Sequence, residues 1–203
     1  MKALELLCFT FLGTRVVFGL KVLIPLAVPS DAPVVSPSLF SFSIEQDRWT
    51  DWAGTTSRNQ FFFNVIDNLG QLTGAPPHIR IGADSEDRAT FNADVKSFLD
   101  DTIDFSSSIG YPEATNSTIG DAFYQATQYL PPNTHVTWGV NLGQNNMSTA
   151  FLEAKSIMKA FSSFAIKDAG IVLDAIEIGN EADLYSGHGL RPKTYDIAQY
   201  IQE

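Results

Sequence analysis

The chain has 203 residues, 44% of them hydrophobic and 18% charged, a globular composition with length for one domain or for part of a larger one. A formal charge of −10 and a pI near 4.6 argue against nucleic acid and against anionic membrane as partners, since both attract basic surfaces. The acidity selects no substrate, because a solvated acidic surface that keeps the protein soluble accounts for it equally well.

The chain opens "MKALELLCFTFLGTRVVFGL", with Lys2 near the start, an apolar run from Leu6 to Leu12 and small residues near Gly19. Those are the charged and apolar regions of a secretory signal over residues 1–19, interrupted by Glu5 and Arg15. The single cysteine, Cys8, lies inside it, so a chain without the signal has no intramolecular disulfide. Two acceptor sequons, Asn116-Ser117-Thr118 and Asn146-Met147-Ser148, fit a secreted glycoprotein. No later stretch reaches the roughly 20 apolar residues of a membrane span.

Residues 20–37, rich in Pro and Ser, read as a surface leader segment before a domain over 38–203. "LFSFSIEQD" alternates with period two and predicts a strand over 38–46. "NQFFFNVIDNLGQLTG" has helical spacing, with Phe62, Val65, Ile66 and Leu69 on one face and Gly74 as its stop. After Pro76-Pro77, "HIRIGADSED" predicts a second strand over 78–83, followed by a long polar connection with a short helix at "ADVKSFLDD". "IGDAFYQATQYL" predicts a helix closed by Pro131-Pro132, and "THVTWGVNLG" a third strand over 134–141. "MSTAFLEAKSIMKAFSSFAIKDAG" predicts an amphipathic helix ended by Gly170, then a fourth strand over 172–179 and a last helix from near Pro192.

Strands alternating with helices imply parallel βα units. Polar side chains gather at the strands' C-terminal ends: Glu45, Asp84 with Ser85, Asn141, and Asn180 with Glu181. Parallel βα folds build ligand chemistry at that edge, in open sheets and closed barrels alike. No Gly-rich phosphate loop follows the first strand, which removes the usual reason to choose a nucleotide-binding sheet.

The stretch "EIGNEADLY" resembles the strand-4 motif of the large barrel superfamily of retaining glycoside hydrolases, in which Asn-Glu closes the strand. More narrowly, "SFSIEQD", "IRIGADSED", "WGVNLG", "EIGNEADLY" and "GLRPKTYDIAQYIQE" are similar, in order and spacing, to fungal glycoside hydrolase family 79, the β-glucuronidase and heparanase-related group. The resemblance implies an α/β chain forming the N-terminal half, about four βα units, of a (β/α)8 TIM barrel. Such barrels take about 250 residues. Two departures stand out. Family members usually end the second strand Gly-Gly-Asn-Ser, where this chain has Gly82-Ala83-Asp84-Ser85. Asn-Glu-Pro-Asp is usual after the fourth, where Ala182 replaces the proline.

The resemblance assigns Glu181 the role of general acid/base, which needs partial burial and a nearby carboxylate to hold its proton. Asn180 would donate to the sugar 2-hydroxyl. Glu45, Gln46, Asp84, Ser85 and Asn141 would supply further sugar contacts. The nucleophile comes from strand 7 in the family, so the chain alone is expected to be inactive, lacking a C-terminal barrel half. Spacing alone leaves other readings open: an N-cap Asn before a solvated Glu at 180–181, and solvated or turn residues at the other positions. The whole chain could equally be a truncated, non-catalytic remnant that binds carbohydrate weakly. Arg80 and Glu177 share inward parity and predict an ion pair. His78, His135 and His188 lack ligand spacing, so neither metal nor cofactor is expected. Trp49, Trp52 and Tyr185 could stack on a sugar or pack.

Overall fold

The computed structural model describes residues 27–98, 102–105 and 112–203, so the expected signal over 1–19 lies outside the described residues. The chain divides into two compact units, Met1–Val34 and Val35–Glu203. The described part of the first, 27–34, is largely exposed and holds a turn in which Ala32 N–H donates to the Pro29 carbonyl at 3.1 Å.

The second unit runs β1 (Ser41–Glu45), α1 (Trp49–Ala53), α2 (Gln60–Thr73) and β2 (His78–Gly82). It continues through β3 (Ala89–Phe91), β4 (Thr102–Phe105), β5 (Ala114–Ile119), α3 (Asp121–Gln125) and β6 (His135–Val140). It closes with α4 (Met147–Phe161), α5 (Phe164–Asp168), β7 (Val172–Ile178), α6 (Tyr185–His188) and α7 (Ile197–Gln202). Strands β1-β2-β6-β7 form one sheet in that order, every pair parallel. These are the four strands expected from the sequence, each trimmed at its ends.

Period-two alternation splits this sheet into two unlike faces. Ile44, Ile79, Ile81, Val136, Trp138 and Val140 are buried in the core. Phe62 and Ile66 of α2, Ile157 and Ala160 of α4 and Ile166 of α5 join the same cluster. At its centre the Trp138 ring meets Trp49, Phe123 and Tyr124 edge-on, with centroids 5.6, 6.0 and 5.0 Å apart. The opposite face carries Ser43, Arg80, Thr137, Gly139 and Glu177 at paired register positions.

Helix limits follow local chemistry. Asn59 caps α2 by accepting from Phe61 and Phe62 N–H, and Gly74 ends it in the left-handed region. Of the expected apolar face, Phe62 and Ile66 are buried while Val65 remains exposed. The long helix expected over 147–170 is two, because Ser162 bonds back to the Met158 carbonyl and Ser163 turns extended before α5. The last helix begins after Asp196, which accepts from Gln199 N–H, and not near Pro192.

The polar connection after β2 differs most from expectation. It holds a second sheet, β3-β5-β4, with β3 parallel and β4 antiparallel to β5. Among the described residues of "ADVKSFLDD", 93–98 form turns and no helix. These strands are short and rich in Thr, Ser, Asn and Asp, so no apolar alternation marks them.

Trp138→Ala should cost about 3–5 kcal/mol of stability, and Val65→Ala under about 1 kcal/mol, measured by urea unfolding.

Candidate active site

The segment after β2 builds most of the site. Ala83 leaves the strand with φ +62° and ψ −159°, a region open to glycine and strained for any side chain. The kink winds Asp84–Arg88 into a 3-10 turn from which Asp84, Ser85 and Asp87 reach different partners. Ser85 Oγ–H donates to Glu45 Oε2 at 2.6 Å and accepts from Asp47 N–H at 3.2 Å, joining the ends of β1 and β2. Burial raises the Glu45 carboxyl, while the Ser85 hydrogen bonds pull it back down.

Asp84 Oδ1 accepts from Asn180 Nδ2 at 2.7 Å. Asp87, buried, gathers the other loops. Its Oδ1 accepts from Leu142 N–H at 3.2 Å and Gly143 N–H at 2.8 Å, and its Oδ2 from Asn180 N–H at 3.2 Å. The Tyr185 hydroxyl lies 2.7 and 2.8 Å from the two oxygens. Burial and this carboxylate together push the Tyr185 hydroxyl well above the usual phenol range.

Glu86 turns the other way and lies across the polar face, over Gly82 and Gly139, where a Cβ at either glycine would overlap its carboxyl. Neither of its oxygens has a hydrogen-bond partner among the described residues, and Arg80 Nη2 stands 3.9 Å away. Burial pushes this carboxyl up to about 10, with Glu177 and Asp87 adding to the rise and Arg80 opposing it.

The expected Arg80–Glu177 pair is present, Arg80 Nε–H donating to Glu177 Oε2 at 2.6 Å. The same guanidinium reaches Ser43 Oγ at 3.0 Å and Asn180 Oδ1 at 2.8 Å. Asn180 is thus held at both ends of its amide, by Arg80 and Asp84. Next to it Glu181 takes a left-handed backbone, φ +49° and ψ +47°, and its side chain is exposed. It borders a cleft of about 180 Å³ with Asp84, Arg88, Asn180 and His188, and a larger one of about 490 Å³ with Glu177, Tyr195 and Tyr200. The partial burial expected of an acid/base is therefore missing in this chain, since no described element stands over the carboxylate.

Among the other expected contacts, Glu45 and Asp84 are half-buried at the same edge. Gln46, Ser85 and Asn141 are sealed off, at 2%, 1% and 2% exposure. The Gln46 side chain is enclosed in the turn after β1, and Ser85 is spent on Glu45. Asn141 donates to the Ala89 carbonyl and accepts from Gln144 N–H, so it braces its own loop and does not face the cleft. Trp49 and Tyr185 pack in the interior, while Trp52 is exposed. Two of the three histidines come together despite lacking ligand spacing in sequence: His78 and His135 stack at 5.0 Å beside Asp174, on the opposite edge of the sheet. Asp87 and Glu86 were the residues sequence reading missed. Their only signal is the acidic run after a strand end, which a solvated turn would also give.

No family model matches the chain. It is 33% identical over 186 residues to a β-glucuronidase of Neurospora crassa, covering 89% of this chain and 32% of that protein. It is 35% identical over 183 residues to a β-glucuronidase of Aspergillus niger, covering 87% and 32%. The chain thus spans about a third of the length of the curated relatives it matches. Its fold is similar to a 4-O-α-L-rhamnosyl-β-D-glucuronidase from Fusarium oxysporum, crystallised with Rha-GlcA, at TM-score 0.59 and 28% identity, over 79% of this chain and 32% of that one. These likenesses are to glucuronidase-type glycosidases.

Ala83→Gly relieves the positive φ and should stabilise the chain by about 1 kcal/mol net of the added unfolded-state freedom, read from urea midpoints. A neutral Glu86 in the folded state also has a pH signature. The unfolded chain releases this proton near pH 4.5 and the folded chain near 10, so its contribution is full at low pH and is lost across that window. The slope is about 1.4 kcal/mol per pH unit. Glu86→Gln should remove that slope and leave the variant more stable than wild type at pH 8.

Proposed function

We propose that the chain is the N-terminal part of a (β/α)8 barrel of a retaining β-glycosidase, of the glucuronidase type in glycoside hydrolase family 79, with Glu181 as the acid/base. One observation carries the reading. Asn180-Glu181 follows β7 on the sheet edge shared with Glu45 and Asp84, in a chain with 33% and 35% identity to two fungal β-glucuronidases. Four parallel strands paired in chain order support a place in the first half of a barrel, a fold whose chemistry is built at that C-terminal edge.

In this reading the substrate is a β-glucuronide or a related glycoside, and the cleft beside Glu181 takes the scissile oxygen. Glu181 protonates the leaving group and then activates water, while a carboxylate about 5 Å away, from a later strand, attacks the anomeric carbon. Asn180 is fixed by Arg80 and Asp84 and presents little freedom, so its amide is positioned before substrate arrives. The leader and the two sequons fit export of the protein from the cell.

The 203-residue chain should show no turnover of an aryl β-glucuronide, because general acid help cannot replace a nucleophile. In a chain carrying the later strands, Glu181→Gln should slow poor leaving groups by about 10²–10⁴-fold. Activated aryl glycosides should still form the glycosyl-enzyme, and azide, which needs no base, should restore turnover and give the β-glycosyl azide. Equal loss on good and poor leaving groups, with no azide rescue, would remove Glu181 from the role.

A further inference from the structure

The N-terminal edge of the main sheet holds a second cluster of side chains, unconnected with glycoside chemistry. His78 opens β2 and His135 opens β6, at neighbouring register positions. Their rings stack at 5.0 Å with planes 12° apart. Asp174 reaches the same place through an irregularity in β7. Val136 pairs with Leu173, yet Thr137 pairs with Ala175, so Asp174 is the extra residue of a β-bulge. A bulge re-aims a side chain, here onto the polar face that carries both histidines.

The carboxylate is shared between the rings. Oδ1 lies 2.7 Å from His135 Nδ1, and Oδ2 lies 3.7 Å from His78 Nδ1, beyond a hydrogen bond. One ligand atom from each of the three residues falls within 4.8 Å of the other two. In a tetrahedral zinc site, with bonds of 2.0–2.2 Å, ligand atoms stand about 3.4 Å apart. The two measured separations bracket that value, and side chains of 34–45% exposure have room to close the remainder. Arg80, on the same face, is engaged by Glu177, Ser43 and Asn180.

We propose that His78, His135 and Asp174 form a binding site for a divalent transition cation of the zinc class. Two imidazoles and one carboxylate are a borderline donor set that suits zinc and disfavours calcium or magnesium, which take oxygen ligands. Three protein ligands leave one position for water. The site lies some six residues along β6 from the Asn141 loop, about 20 Å at strand rise, so the ion's role is to clamp β2, β6 and β7 at the edge remote from Glu181. This inference goes beyond the glycosidase reading and does not rest on it.

The test uses the metal-free 203-residue chain titrated with zinc by calorimetry, with cobalt(II) absorption as a second readout. One equivalent should bind saturably, cobalt should give the intense visible bands of a tetrahedral site, and zinc should raise the thermal unfolding midpoint. His78→Gln, His135→Gln and Asp174→Asn should each weaken binding about tenfold or more, while His188→Gln leaves it unchanged. These substitutions are on half-exposed side chains, and far-UV circular dichroism checks that each variant keeps its fold. Absence of a saturable one-equivalent transition overturns the proposal. So does binding that survives the paired His78→Gln and His135→Gln changes.

Discussion

The buried carboxylate of Asp87 is the interaction on which the site edge depends. It belongs to the turn after β2, yet its partners are the backbone of the loop after β6, the backbone of Asn180 after β7 and the hydroxyl of Tyr185 in α6. A charged acceptor with several donors is among the stronger interactions a protein can make, and breaking a buried one leaves every donor unsatisfied. Three loops that are distant in sequence therefore share one reference point. The Asn180-Glu181 backbone, including the unfavourable left-handed conformation of Glu181, is held because Asp87 fixes its amide from below.

A second layer acts on side chains. Arg80 spans the polar face, and its fork touches Ser43 on β1, Glu177 on β7 and Asn180 beyond it. Lysine could not replace it, since a point charge lacks the planar spread of donors that reaches three strands at once. Glu86 sits beside this network without a hydrogen bond of its own, tolerated because it remains neutral and because two glycines leave it space. Glu153 is a parallel case on the helix side. It accepts from Asn141 N–H, and burial pushes its carboxyl up to about 8. The edge thus combines a many-bonded anchor, Asp87, with acids that burial pushes upward, Glu86 and Glu153.

The main sheet was legible because its strands carry strict alternation, as in "HIRIG" and "HVTWGV", and because apolar periodicity changes to helical spacing between them. The second sheet was not, since "ATF" and "ATNSTI" are too short or too polar to alternate. At the site, Glu181, Asn180, Glu45 and Asp84 were readable as polar residues at strand ends. Asn141, Ser85 and Gln46 share that placement but turn inward, and no pattern in sequence says which way a loop side chain points. Asp87 was invisible for the same reason: its meaning lies in residues 55, 56, 93 and 98 positions away. The place of Asp174 beside the histidine pair was hidden by a bulge, because counting in twos back from Glu177 along β7 puts Asp174 on the other face.

Exposed apolar side chains lie on the helices, among them Phe151, Met158 and Phe164, and also beside the two outer strands. Phe40, Phe61 and Val65 are exposed near β1, and Ile178, Ile197 and Ile201 near β7. Both strands are the outer members of the sheet and lack a further partner among the described residues. A soluble sheet normally protects such edges with charge, proline or a bulge placed at the rim. At the β7 edge the Tyr200 hydroxyl donates to the Ile178 carbonyl. On the polar face, by contrast, Arg80, Glu177 and Asn180 hydrogen-bond one another. The barrel proposed for this chain would set further strands against both outer members of the sheet, where these apolar groups lie. That proposal would account for both edges at once, whereas an open sheet would call for a separate partner at each.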